Sequence, residues 1–236
     1  MDNVPGDGAS DTEPLYRITR ERLLDGSLMR EFRARALPGT PIRSDAELEA
    51  SLDATLAGHD PAADLWLFGY GSLIWNPAFV FAEQVPAFVR GYHRRYCLWM
   101  PMGRGTPERP GLMLALDRGG GCRGVAFRIP APARAELLLV WRREMLGGAY
   151  LARWVCAETP HGVVPAVTFV VDRSYVRYAG HLSDDEVAAR IATARGPLGS
   201  CADYLRRTTE KLAEMGFKDR GLERVRRAVA RVQPAA

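Results

Sequence analysis

The chain contains no apolar run near the roughly 20 residues that a helix needs to cross a bilayer, so no membrane partner is expected. Its four cysteines, Cys97, Cys122, Cys156 and Cys201, include no Cys-x-x-Cys pair, which gives no support for a zinc knuckle or a dithiol redox site. The four histidines, His59, His93, His161 and His181, stand apart from one another, and no metal site is expected. Neither a Ser-His-Asp nor a Cys-His set is evident. The first fourteen residues are polar and acidic, with Gly, Asp, Ser and Pro and little to bury; they are unlike a signal peptide and read as a disordered tail. With cysteines read as free thiols, this predicts a cytoplasmic location. Positive charge is slight, +4 over 236 residues, and no nucleic-acid module accompanies it, so no nucleic-acid partner is expected. Arg224, Arg226, Arg227 and Arg231 share an expected helix with Glu223 and read as a solvated face. Arg90, Arg94 and Arg95 fall in an expected strand, where they could meet an acidic ligand.

What is present is an ordinary globular composition, 47% hydrophobic and 25% charged, enough for one large domain or one domain with an appendage. A helix is expected over about 19–36, interrupted near Gly26. Ser44 with Glu47 forms a capping box before Leu48, Leu52 and Leu56 at helical spacing. From residue 64 the pattern turns to strands, at 65–68, 87–99, 111–117 and 123–129, with Gly119-Gly120-Gly121 read as a loop. A helix over 132–146 follows, then strands at about 150–158 and 163–171. Ser183 with Glu186 makes a second capping box, and helices are expected near 200–215 and 219–232. Strands in succession argue against a doubly wound sheet and for a mixed α+β fold with a closed or strongly curved sheet. Residues 1–60 read as a tail with a helical extension, and 61–236 as the main domain.

Two stretches carry candidate chemistry. The apolar run Leu65–Phe68 stops at Gly69-Tyr70-Gly71-Ser72. Two glycines free to take positive φ expose backbone N–H groups that suit a carboxylate or a polarised carbonyl; a plain tight turn fits the same residues. Glu144 sits in the last turn of an expected helix, before Gly147-Gly148. The helix dipole is unfavourable to a carboxylate there, and Trp141, Met145 and Leu146 surround it in sequence. Both effects raise its pKa toward the range of a general acid–base group, unless Arg142 or Arg143 folds back onto it. A surface glutamate paired to one of those arginines is the alternative.

Five motifs occur in order: Phe68-Gly69-Tyr70-Gly71-Ser72-Leu73-Ile74-Trp75, Gly91-Tyr92-His93-Arg94-Arg95, Arg104 to Leu112 (Arg-Gly-Thr-Pro-Glu-Arg-Pro-Gly-Leu), Cys122-Arg123-Gly124-Val125-Ala126, and Arg143-Glu144-Met145-Leu146-Gly147-Gly148-Ala149-Tyr150. Over about residues 64–230 the chain resembles the ChaC-type, glutathione-specific γ-glutamylcyclotransferases. The resemblance implies a small mixed β-barrel with flanking helices. It implies a lyase that cleaves glutathione to 5-oxoproline and cysteinylglycine without a cofactor, acting as a monomer or weak homodimer. It places substrate binding on Phe68, Gly69, Tyr70, Gly71, Ser72 and Leu73, matches the family's catalytic glutamate to Glu144, and adds Tyr150 and Tyr178. Gly103 departs from the histidine that bacterial relatives carry before Arg104. A cyclotransferase for other γ-glutamyl compounds, or a non-catalytic regulatory binding protein, would use the same pocket.

The chemistry needs no protein nucleophile, because the α-amine of a γ-glutamyl amide attacks its own γ-carbonyl and closes a five-membered lactam. The protein must fold the substrate, stabilise an oxyanion and move a proton. Arg95 or Arg104 at the pocket rim would attract the glycyl carboxylate of an anionic peptide.

Overall fold

The structure is a computed structural model that describes residues 17–232; the expected disordered tail over 1–14 lies outside the described residues. Five strands form the centre. β1 (Leu65–Gly69), β2 (Glu83–Met100), β3 (Gly111–Ile129), β4 (Tyr150–Thr159) and β5 (Gly162–Val171) close into a barrel in the order β1-β3-β2-β4-β5. Closure comes from parallel pairing of Trp66 with Ala166 and Leu67 with Val167. The mixed α+β fold with a closed sheet is therefore as the pattern predicts.

Gly119-Gly120-Gly121 is not a loop. β3 runs through it as one strand, paired with β2 on both sides. The ladder shifts register between Arg90 and Tyr92, and Gly91, Gly119 and Gly120 take φ of 85°, 100° and 69° there. Local composition reads such a glycine cluster as a break, whereas long-range pairing uses it as a bulge that carries the strand onward.

Helix α4 (Glu136–Glu144) packs on the barrel, preceded by a 3-10 turn over Ala131–Ala133; together they fill most of the single helix expected over 132–146. Trp141 anchors α4: its side chain is fully buried and meets the Phe169 ring edge-on at 5.2 Å. Behind α4 lie α1 (Arg20–Leu24), α2 (Ser27–Ala34) and α3 (Asp45–Leu56), with Leu23, Leu28, Met29, Leu48, Leu52 and Leu56 in the same apolar cluster as Trp141. Polar ties reinforce this packing. Arg20 binds Glu136 at 2.5 Å, and Arg142 donates to the Leu23 carbonyl at 2.9 Å and pairs with Asp45 at 3.1 Å. Both capping boxes form, at α3 and at α5 (Asp184–Thr193). A two-residue ribbon, β6 (Arg195–Gly196) with β7 (Gly199–Ser200), leads into α6 (Cys201–Glu214), and α7 (Arg220–Val232) follows.

Candidate active site

The chain leaves β1 at Gly69, passes Tyr70 and Gly71, and enters a 3-10 turn over Ser72–Ile74. The expected positive φ is absent from both glycines; Gly71 has φ −126°. Close approach explains them instead. A Cβ on Gly69 would stand 3.0 Å from the Phe127 ring and 3.1 Å from the Leu73 Cβ, and one on Gly71 would stand 2.7 Å from the Tyr204 hydroxyl. The turn leaves its first N–H groups without intrahelical partners. Those of Gly71, Ser72 and Leu73 find no acceptor among the described residues. Arg94 fixes the loop from behind, donating to the carbonyls of Tyr70 and Arg123, both at 2.6 Å, while pairing with Asp219 at 2.5 Å. Its buried charge is thus committed to the fold, not to an acidic ligand.

Glu144 closes α4, and the Met145 N–H that follows bonds back to the Trp141 carbonyl. Its side chain is 16% exposed and opens into a cavity of about 820 Å³. Burial raises its pKa above the ordinary glutamate value, with Arg143 pulling the other way. The surface alternative is overturned, although the pairing it supposed exists: Arg143 Nε lies 3.2 Å from Glu144 Oε1. The Arg143 side chain is only 3% exposed. Its Nη2 donates to Ser72 Oγ at 2.9 Å and its Nη1 to the carbonyls of Asn76 and Pro77, the latter at 3.0 Å. One guanidinium therefore spans from the acidic side chain to the Gly-Tyr-Gly-Ser loop.

Three tyrosines complete this part of the cavity: Tyr70 from the loop, Tyr150 from β4 and Tyr204 from α6. Burial holds their hydroxyls above the usual tyrosine pKa, and the nearby Glu144 charge adds to it, so all three stay protonated. Arg104 enters from the loop after β2. It is 8% exposed, donates to the Ser200 carbonyl at 2.9 Å and lies 5.0 Å from the centre of the Tyr204 ring.

Of the residues predicted for the site, Tyr70, Gly71, Ser72, Leu73, Arg104, Glu144 and Tyr150 line this cavity together. Three do not, and the expectation is corrected for them. Phe68 is fully buried inside the barrel, and Gly69 is packed under Phe127. Tyr178 donates instead to Asp117 at 2.8 Å. Arg95 is corrected likewise, for it pairs with Asp117 at 3.2 Å and with the Gly180 carbonyl at 2.5 Å. Residues that sequence reasoning did not assign to the site are Tyr204, Trp75 and the wall from Ile18 and Phe32. Trp75 ends the first motif but carried no site role there, and nothing local marks the others, since each arrives from a distant element. Arg143 was visible only as a possible opponent of Glu144. Among the described residues no three His, Cys, Asp or Glu side chains group as a metal would require, and no helix is long and apolar enough to cross a membrane.

The sequence profile of the ChaC-like protein family matches residues 65–232. A glutathione-specific γ-glutamylcyclotransferase of Escherichia coli (strain K12) is 40% identical over 207 residues, covering 87% of this chain and 89% of that protein. Glutathione-specific γ-glutamylcyclotransferase 1 of Mus musculus is 31% identical, covering 85% of this chain and 93% of its own. A crystal structure of a glutathione-specific γ-glutamyl cyclotransferase from yeast superposes with a TM-score of 0.66 at 23% identity, over 73% of this chain and 98% of that one, and shares the fold.

Proposed function

The chain belongs to the ChaC-like protein family, and from that premise we propose that it is a glutathione-specific γ-glutamylcyclotransferase, a lyase that converts glutathione to 5-oxoproline and cysteinylglycine. The observation that carries the site assignment is that the largely buried side chain of Glu144 lines the same cavity as Gly71, Ser72 and Leu73, whose N–H groups have no acceptor among the described residues.

The α-ammonium of the γ-glutamyl group first gives a proton to Glu144. The freed amine attacks the γ-carbonyl, forming the lactam C–N bond and placing negative charge on the carbonyl oxygen. N–H groups of Gly71, Ser72 and Leu73 are suited to receive that charge, each such donor contributing about 3–4 kcal/mol. The bond to the cysteinyl nitrogen then breaks as Glu144 returns its proton to the departing amine; the ring nitrogen sheds its second proton to solvent as the lactam amide forms, and the released amine takes one up from solvent to become an ammonium. No water is consumed and no group remains on the protein. The raised pKa of Glu144 supports both transfers, because a carboxyl nearer neutrality accepts and releases a proton more readily than an ordinary one. The cavity folds the flexible peptide into its reactive shape, an effect worth up to about 7–11 kcal/mol in favourable cases. Arg104 is assigned the glycyl carboxylate, and Tyr70 and Tyr150 the γ-glutamyl end.

Action as a monomer or weak homodimer in the cytoplasm, without a nucleic-acid or membrane partner, belongs to this reading. So does a division near residue 60, which the start of the family match at residue 65 supports. The test is stoichiometry. Purified protein incubated with glutathione should release 5-oxoproline and cysteinylglycine one to one, and γ-glutamyl-alanine should react far more slowly. Faster turnover of γ-glutamyl-alanine would assign a different substrate.

A further inference from the structure

We infer that Arg143 is a positioning residue that couples the proton carrier to the oxyanion cradle, holding the Glu144 carboxyl and leaving the Ser72 hydroxyl free to donate to the substrate. The inference rests on the proposed reaction and adds a device to it.

A guanidinium is planar, stays charged, donates five N–H groups in a fixed fork and accepts nothing. Here the group is nearly sealed from solvent, and its contacts converge from two elements. Nη1 is taken by the Asn76 and Pro77 carbonyls, Nη2 by Ser72 Oγ at 2.9 Å, and Nε faces Glu144 Oε1 at 3.2 Å. The Asn76 and Pro77 carbonyls and Ser72 thus fix the fork, which holds its charge against the carboxyl as an ion pair.

The second consequence concerns hydrogen-bond direction. Because Arg143 only donates, Ser72 Oγ must accept from it. The single Ser72 proton is left over, and among the described residues it has no acceptor. Ser72 lines the cavity beside the unbonded loop N–H groups. Its hydroxyl is therefore polarised by a neighbouring cation and available to a substrate oxygen. The groups that face Glu144 from other elements are Tyr70, Tyr150 and Tyr204, all neutral, while Arg104 lines the same cavity and its charge opposes that of Arg143. Arg143 is thus the charge that most directly opposes the burial of Glu144.

The experiment compares wild type, Glu144→Gln, Arg143→Gln, Arg143→Lys, Ser72→Ala and the Arg143→Lys/Ser72→Ala double variant. For each, kcat, KM and the pH dependence of kcat/KM with glutathione are measured, beside a melting curve. Arg143→Gln is expected to lose about 100-fold in kcat and to move the acid limb upward by about one pH unit, because the opposing cation is gone. Arg143→Lys keeps the charge and should leave that limb in place, yet lose about tenfold in kcat, since an ammonium lacks the fork that spans both partners. Ser72→Ala should cost less in the Arg143→Lys background than in wild type. A purely structural arginine would lower the melting temperature without moving the limb or producing this coupling. An unmoved limb in Arg143→Gln overturns the inference; if that variant does not fold, independent multiplication of the Arg143→Lys and Ser72→Ala losses does so. Wild type that yields no 5-oxoproline overturns the reaction and this inference together, whereas active wild type with an unperturbed Arg143 series overturns the inference alone.

Discussion

Arg104 carries its charge into a wall where it meets one carbonyl and an aromatic face but, among the described residues, no carboxylate. Burial pulls its pKa down, so an anion that reached it would be welcome on both counts. Truncation in Arg104→Ala should raise KM for glutathione roughly 10- to 100-fold, the range of a lost charged hydrogen bond, and change kcat much less. Steady-state kinetics decide this, and an unchanged KM would remove Arg104 from recognition. Glu144 makes a complementary prediction about pH. In the proposed reaction it must be ionised to take the first proton, and burial raises its pKa, so kcat/KM should fall as the pH drops through a value above the ordinary glutamate pKa of about 4.3. A pH–rate profile with its acid limb at that ordinary value would contradict the burial argument. These two side chains were legible in the sequence, one from its motif and one from its place at a helix end. The contacts of Arg143 were not, because its partners Ser72, Asn76 and Pro77 are 66 to 71 residues away and enter from another element.

At the scale of elements, Trp141 decides where Glu144 stands. The indole is fully buried against Phe169, three residues before the carboxylate on the same helix. Trp141→Ala should cost about 3–5 kcal/mol of stability, from lost burial and the cavity left behind. That corresponds to a fall in melting temperature of roughly 6–20 °C for a chain of this size. Thermal melts check it, and a shift below about 3 °C would mean that α4 is held by something else. The helices and both capping boxes could be read from spacing alone. β3 could not be read whole, because Gly119-Gly120-Gly121 satisfies every local rule for a break while the pairing with β2 continues across it. The loop glycines show the same gap. Their presence was informative, but the reason lies in Phe127 and Tyr204, not in their own φ.

Across the whole molecule, arginine dominates the charged lining of the cavity. Arg17, Arg104, Arg142, Arg143, Arg177, Arg195, Arg206 and Arg207 line it, with Glu144 and Asp203 as the carboxylates. A net positive recess of this kind draws in an anionic peptide, and mobile ions screen the attraction over about 8–10 Å at physiological salt. Raising the salt concentration about tenfold should therefore increase KM for glutathione several-fold with little change in kcat; a KM that is indifferent to salt would argue against electrostatic capture. The N-terminal helices belong to this picture as well. Ile18, Leu28 and Phe32 contribute cavity wall, and Leu48, Leu52 and Leu56 cover α4. The sequence showed these helices as an appendage, since their partner surfaces lie far along the chain, 58 residues for Ile18 with Asn76 and 90 for Ser51 with Trp141.

The most direct test of the account is product formation by Glu144→Gln with substrate binding measured separately. The exchange keeps size and hydrogen-bonding capacity but cannot shuttle a proton. Glutathione should still bind within a few-fold of wild type, while 5-oxoproline release falls by about 10²–10⁴-fold. Release at the wild-type rate would show that the proton moves by another route and that the acidic side chain at the end of α4 is not its carrier.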